Sequence, residues 1–254
     1  MADSNTTNNN TDAQRIATLE AAMAAVRAEM QDFSYTVSHD LRASLRHILS
    51  YAQLVQEDAA ALLPPETMGF VNTIADSARH MGVLMDGLME LARLGTVAVT
   101  LAPVSLQALV QDVLAELRQK QPPPQAQLQW QVQQPLPMVL ADAALLRAAL
   151  LAVLDNAVKF TAHKALRQIA VSVSASDADG RITLQVQDNG VGFNPALQSQ
   201  LFKPFSRLHS IQQFAGIGMG LALTRKMLER MGAQVQAQAE VDQGCSVRIT
   251  LTGC

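Results

Sequence analysis

The stretch Phe33-Ser-Tyr-Thr-Val-Ser-His-Asp-Leu-Arg42 sits inside about fifty residues, Ala13 to Leu63, that contain neither Pro nor Gly. Across that span the apolar residues Met23, Met30, Val37, Leu41, Ile48, Tyr51 and Val55 recur in alternating steps of three and four and fit a single a/d seam. The pattern predicts a long helix with a partner. At about 100° per residue, His39 falls roughly 200° from both Val37 and Leu41, which points it away from the seam and into solvent. Neutral imidazole is a good nucleophile near pH 7, and the adjacent Asp40 can hydrogen-bond one ring nitrogen, fixing the tautomer and leaving the other nitrogen free to attack phosphorus. An isolated surface histidine carries no such meaning, and His47, His80, His163 and His209 are read as ordinary surface residues.

Working outward, Met1 to Asp12 is polar and Asn/Thr-rich and is expected to be a disordered leader. Pro64 and Pro65 break the long helix, and a second helical pattern from Glu66 to Leu94 follows, with Met68, Val71, Ile74, Ala75, Ala78, Met81, Met85 and Leu88 as its apolar positions. The two helices predict an αα-hairpin over residues 13–95. One hairpin leaves its apolar stripe half covered, so pairing with a second copy into a four-helix bundle is expected.

After Gly95 the pattern changes, and residues 96–254 read as a second domain. The expectation is a strand at Val97–Leu101, a helix at Val104–Gln119, a loop at Gln121–Gln125, a strand at Gln127–Val132 and a helix at Ala141–Phe160. A hairpin of strands, Gln168–Ala175 and Arg181–Gln187, turns at Asp177–Gly180. A helix at Gly218–Met231 and strands at Gln234–Ala239 and Ser246–Leu251 complete an α+β sandwich, one mixed sheet with helices on one face.

Composition excludes several classes of function. In 254 residues there are 19 Lys and Arg, scattered, against 22 Asp and Glu, for a net charge of −3, which is no nucleic-acid footprint. No apolar run approaches the ~20 residues that span a bilayer, and the N-terminus is not a signal peptide, so a cytoplasmic protein without direct membrane insertion is expected. Cys245 and Cys254 lack zinc-ligand spacing and are expected to be free thiols.

Three signals in the second domain point to a nucleotide. Leu154-Asp-Asn-Ala-Val-Lys-Phe160 ends a predicted helix, where the Asn156 amide oxygen can help hold Mg²⁺ on a triphosphate and Lys159 can meet phosphate charge. Asn and Lys also end helices for capping and dipole reasons alone. Asp188-Asn-Gly-Val-Gly-Phe193 follows a strand, so that a carboxylate can accept an adenine amino proton while glycines let backbone approach the ring, although Asn-Gly also suits a plain turn. Gly216-Ile-Gly-Met-Gly-Leu-Ala-Leu223 opens a helix, turning free N–H groups toward phosphate oxygens. It lacks the strand-first context of a dinucleotide fold and the GKS/T ending of a P-loop.

In combination these motifs carry a family resemblance. Residues 33–42 resemble the H-box of sensor histidine kinases. Asn156, Asp188 and the Gly216–Gly220 loop resemble the N, G1 and G2 boxes of the ATPase fold that those kinases share with gyrase, Hsp90 and MutL. Leu201-Phe-Lys-Pro-Phe-Ser-Arg-Leu-His-Ser210 resembles the F-box of the phytochrome-type members. The resemblance covers residues 30–252. It implies that ATP and Mg²⁺ are used, that Asp188 contacts adenine and that Asn156 is the Mg²⁺ ligand. Gly190, Gly192, Gly216, Gly218 and Gly220 shape the pocket and a short lid over 206–217, and Lys159, Lys203 and Arg207 are candidate phosphate contacts. It further implies a homodimer in which His39 takes the γ-phosphate, with Asp40 beside it, and passes it to an aspartate on the receiver domain of a response regulator, under the control of an upstream sensor domain or protein. The helix Ala13–Gln31 resembles the signalling helices that carry such input.

Three positions depart from the family pattern. Ser44 stands where Pro is common, Ala43 where a Thr or Asn supports dephosphorylation of the partner, and Ala152 where a second Asn often lies one turn before Asn156. Two other readings stay open: a dimeric ATP-binding scaffold that has lost transfer, and a histidine phosphotransferase relay.

Overall fold

The computed structural model describes residues 4–120, 128–174, 177–210 and 212–254, with α1 side chains continuous from Thr36. The chain divides into two compact units, Met1–Thr96 and Val97–Cys254.

The first unit is a pair of antiparallel helices, α1 (Ser4–Ala59) and α2 (Pro65–Leu94). The start of α1 falls inside the stretch expected as a disordered leader, of which residues 1–3 lie outside the described residues. The absence of Pro and Gly lets the helical pattern run back further than the apolar seam alone suggested. Its end at Ala59 comes before the expected Leu63, because the N–H groups of Leu62 and Leu63 both turn back to Ala59 O ahead of the two prolines. Pro65 occupies the first turn of α2, where its missing N–H costs nothing.

The face that α1 turns to α2 carries Ser38, Leu45 and Ala52, all buried, and it meets Ala75 and Ala78, both 1% exposed. Small side chains allow close approach. Arg42 pairs with Asp86 at 2.7 Å and Gln56 with Asn72 at 2.6 Å, which fixes the antiparallel register. The predicted seam is a different face: Val37, Leu41, Ile48, Tyr51 and Val55 remain exposed, as do Ile74, Met81 and Leu88 of α2.

The second unit is a seven-stranded mixed sheet of β1 (Ala102–Ser105), β2 (Leu128–Val132), β3 (Met138–Ala141), β4 (Arg167–Val173), β5 (Arg181–Asp188), β6 (Gln234–Glu240) and β7 (Gly244–Gly253). The order is β1-β3-β7-β5-β4-β2, with β6 also pairing to β7 and only β2–β4 parallel. Register places Val171, Val186 and Val247 side by side, and Leu184 beside Ile249, on one buried face. The alternate residues Ser172, Gln185, Ser246 and Arg248 form a polar, half-exposed face. The helices α3 (Leu106–Gln119), α4 (Ala143–Phe160) and α5 (Gly220–Arg230) cover the apolar face, as an α+β sandwich requires.

Four expected elements are corrected, and one strand is added. The strand expected at Val97–Leu101 is instead Ala102–Ser105; the earlier segment is held by Thr100 N donating to Asp142 Oδ2 at 3.1 Å and by Arg230 donating to Val97 O. Helix α3 then begins at Leu106 rather than Val104, because the Ser105 hydroxyl accepts from Ala108 N at 3.2 Å and caps it. Met138–Ala141 is a strand that the reading missed, and α4 begins at Ala143, where Asp142 accepts from Ala144 N and Leu145 N, each at 3.1 Å. Likewise α5 starts at Gly220 rather than Gly218. The loop expected at Gln121–Gln125 and the ends of two expected strands, Gln127 and Ala175, lie outside the described residues.

Candidate active site

His39 projects from α1 with its side chain 65% exposed, and its Nδ1 lies 3.2 Å from Asp40 Oδ1. A carboxylate can only accept, so Nδ1 carries the proton and Nε2 is left with a free lone pair. The Ser44 hydroxyl donates to Asp40 O at 3.3 Å, and Ala43 is half-buried.

In the second unit the C-terminal half of α4, the end of β5 and the start of α5 surround a cavity of about 380 Å³. The end of α4 is fixed from below. Arg167, buried, donates to Val158 O at 2.7 Å, and the Thr161 hydroxyl donates to Ala157 O at 2.8 Å, satisfying carbonyls that a helix terminus leaves open. This holds Asn156, Lys159 and Phe160 in place on the cavity wall. The Asn156 carboxamide faces the glycine loop; a Cβ at Gly220 would sit 4.0 Å from its Nδ2.

Asp188 ends β5 at 7% exposure. Its Oδ1 accepts from Gly190 N at 2.8 Å and from Cys245 N at 3.3 Å, and Oδ2 is left for a donor in the cavity. Burial pushes its pKa up to about 6, against the pull of those two N–H groups. Cys245, opposite Asp188 in the ladder, has its thiol pushed up to about 12 by burial and by the Asp188 charge, so it is no nucleophile at neutral pH. Both cysteines are free, as expected. The Asn189-Gly190 pair is not a hairpin turn: Asn189 bridges strands by accepting from Gln168 N at 2.9 Å and donating to Leu166 O at 2.8 Å.

Of the glycines expected at the site, two are required by contact as well as by backbone. At Gly192, with φ 58°, a Cβ would stand 1.9 Å from Glu240 O, and at Gly218, with φ 76°, 2.5 Å from Ser206 O. Gly216 and Gly220 line the cavity, whereas Gly190 is not among its lining residues and serves by the close approach of its backbone to Phe160 O.

The candidate phosphate contacts divide. Lys159 lines the cavity, 3.4 Å from Ala215 O, with its nitrogen 4.4 Å from the Phe160 ring centroid. Burial lowers its pKa, Asp155 opposes that and Arg207 adds to it. Arg207 also lines the cavity and donates to Phe214 O at 2.9 Å and to Gly216 O. Lys203 is exposed and is not among the lining residues. Ala152, the departure from a second Asn, does line the cavity. Among the described residues there is no cluster of three acidic, His or Cys side chains for a metal. Asn156 is the one expected ligand present, which fits an ion that keeps most of its water and takes phosphate oxygens.

Residues that the sequence reading passed over also form the wall. His209, read as an ordinary surface residue, lines the cavity together with Phe160, Phe214 and Cys245. Its place in the segment Leu201–Ser210 gives no direction for the side chain, since Phe160, against which its ring lies, is about fifty residues away in sequence.

The first unit thus carries an exposed helical His–Asp pair, and the second a glycine-framed cavity with a buried aspartate in its wall. Residues 29–96 match the His Kinase A (phospho-acceptor) domain, and residues 141–253 match the histidine kinase-, DNA gyrase B- and HSP90-like ATPase domain. The chain belongs to the sensor histidine kinases. It is 25% identical over 94% of its length to cyanobacterial phytochrome A of Nostoc sp., and 30% identical over 89% to the circadian input-output histidine kinase CikA of Synechococcus elongatus. It spans 30% of the length of each of these relatives. Among solved structures, full-length ShkA in complex with AMPPNP matches with a TM-score of 0.59 and 30% identity, over 88% of this chain and 46% of that one. Acinetobacter baumannii AdeS matches with a TM-score of 0.56 and 19% identity, over 85% of this chain and 98% of that one, a likeness of fold. Among the described residues no helix is long and apolar enough to cross a membrane.

Proposed function

We propose that the protein is an ATP-dependent protein-histidine kinase that phosphorylates its own His39 and hands the phosphoryl group to an aspartate on a response-regulator receiver domain. The observation that carries this is Asp188, a buried carboxylate with both backbone donors on one oxygen and the other oxygen left for the cavity. An adenine amino group supplies the donor that such an acceptor lacks. Lys159 and Arg207 stand in the same cavity to meet phosphate charge, and Asn156 offers an oxygen for Mg²⁺. Mg²⁺, when bound on the triphosphate, neutralises charge that develops in transfer.

In the reaction, the His39 Nε2 lone pair attacks the γ-phosphorus, the bond to the ADP oxygen breaks with its electron pair leaving on ADP, and the Nδ1 proton moves to Asp40. The phosphoryl group then passes from Nε2 to a receiver-domain carboxylate. The exposed seam of α1 and α2 supports a homodimer, and an upstream sensor domain or protein in the cytoplasm supplies the input.

The experiment is incubation with γ-labelled ATP and Mg²⁺. Acid-labile, alkali-stable label on the chain is expected. Nucleotide binding without label would favour a dimeric scaffold, a reading to which Ala152 at the cavity wall lends support, and neither binding nor label would leave a phosphotransferase relay.

A further inference from the structure

The cavity wall contains an imidazole with a defined tautomer. His209 Nε2 lies 2.9 Å from Gly192 O, and a carbonyl can only accept, so Nε2 bears the proton and donates. The ring centroid is 5.4 Å from that of Phe160 and 5.3 Å from that of Phe214, and the two phenylalanines meet edge to face at 4.9 Å. These three rings come from the end of α4, from the segment after Phe205 and from the residues ahead of the glycine loop. All three line the cavity.

Two hydrogen bonds tie this wall to the loop that follows Asp188. Val191 N donates to Phe160 O at 3.2 Å, and His209 donates to Gly192 O. The aromatic surface is therefore held in a fixed relation to the Asp188 carboxylate. A wall of rings beside a buried acceptor suits a flat heterocycle with an exocyclic amino group, and the phosphate-seeking cations are bound to the carbonyls of residues 214–216, with the Lys159 nitrogen also 4.4 Å from the Phe160 ring centroid.

Resting on the nucleotide reading above, we infer that His209 is a positioning residue for the purine: its hydrogen bond to Gly192 O sets the Phe160–Phe214 wall against which the base stacks. Its work is done on the base and not on the triphosphate.

The test compares ATP with inorganic tripolyphosphate as ligands of the full chain. In His209→Ala, ATP binding should weaken about tenfold while tripolyphosphate binding stays within about twofold, since an aromatic contact and a hydrogen bond are lost only at the base end. In autophosphorylation, KM for ATP should rise by a similar factor with kcat almost unchanged. His209→Gln keeps a donor without the ring and His209→Phe keeps the ring without the donor; each should recover part of the loss, a graded rescue that a purely structural role would not produce. Unchanged ATP binding in His209→Ala, equal weakening of both ligands, or a fall in kcat at constant KM would each overturn the inference. Wild type and Asp188→Asn serve as the separate control: if they bind ATP equally, the nucleotide reading itself fails, whatever His209 does.

Discussion

In the helical hairpin, Leu41, Ile48, Tyr51 and Ile74 lie open while Leu45, Ala52, Ala75 and Ala78 fill the contact between helices; in the sheet unit, Leu146, Leu150, Leu154, Ile169, Leu184 and Ile249 are fully buried. The sheet unit closes its own core and can hold a ligand cavity as a single copy. The hairpin does not, and its large side chains await a second surface. On the function proposed above, the phosphoacceptor stands on the part of the chain whose stability should depend on concentration, and the nucleotide cavity on the part whose stability should not. Changes in one unit should therefore leave the other's property intact.

The largest effect is expected at His39. His39→Gln should abolish autophosphorylation while ATP affinity stays within about twofold of wild type, because the side chain belongs to no part of the cavity. Label on another histidine in this variant would show that the acceptor has been misassigned. Next is Asp188→Asn, which replaces the acceptor with a group that must turn one amide face to Gly190 N and Cys245 N. ATP affinity should fall by roughly ten- to a hundredfold in equilibrium titration, with the oligomeric state unchanged.

The third test acts on the hairpin. Wild type should run in light scattering at twice the 27.3 kDa chain mass, and Ile48→Asp, which puts a charge on the open seam, should shift it toward monomer. The melting of the sheet unit should stay where it was. A wild-type monomer at micromolar concentration would remove the argument that the exposed stripe is an interface.

Asp188 also gives the comparison a pH dependence with two opposite signs. Its ordinary pKa of 3.8 is raised to about 6 in the fold, so the folded unit holds the proton more tightly than the unfolded chain. The stabilisation is fully present below 3.8 and is lost as pH rises through 6, by up to about 3 kcal/mol. Denaturant titrations of ligand-free wild type and Asp188→Asn should differ by this pH-dependent amount. On the proposed contact the ionised carboxylate is the stronger acceptor for the adenine amino group, so affinity should instead rise with pH through 6 and level off above it. A flat profile in wild type would mean that Asp188 is not the base contact.

How much of this was legible in the sequence follows from the distance over which each feature is decided. Heptad spacing marked the open face of α1, and the Gly-rich motifs marked the corners of the cavity, because each is local. The strand Met138–Ala141 was hidden, since it is only four residues long and its last, Ala141, read as the start of the helix until Asp142 is known to cap it. His209 and Phe214 could not be placed beside Phe160 by any local pattern, for only the sheet topology brings those segments together. Lys203, by contrast, lay in a recognisable motif and still faces solvent, because the motif marks a segment and not the direction of each side chain.

The smallest expected effect concerns removal of phosphate from the partner, and it depends on one helical turn of α1. A water placed in line with an aspartyl phosphate needs a hydroxyl or amide to orient it, and the position four residues beyond His39 shares its face of the helix. Ala43 offers neither group. The neighbouring Ser44 does carry a hydroxyl, but it is turned back onto Asp40 O at 3.3 Å and lies about 100° around the helix from residue 43, on the line of Leu41 and Ile48. With this protein and ADP added, the phosphorylated receiver should therefore decay at close to its own rate, and Ala43→Thr should speed that decay by a few-fold, on the order of one oriented hydrogen bond. Autophosphorylation should be nearly unchanged in Ala43→Thr, since residue 43 lies outside the cavity. A time course of receiver phosphate with wild type, Ala43→Thr and Ser44→Ala decides it: rapid decay with wild type that disappears in Ser44→Ala would transfer the role to Ser44, and would mean that its bond to Asp40 O opens when the partner docks.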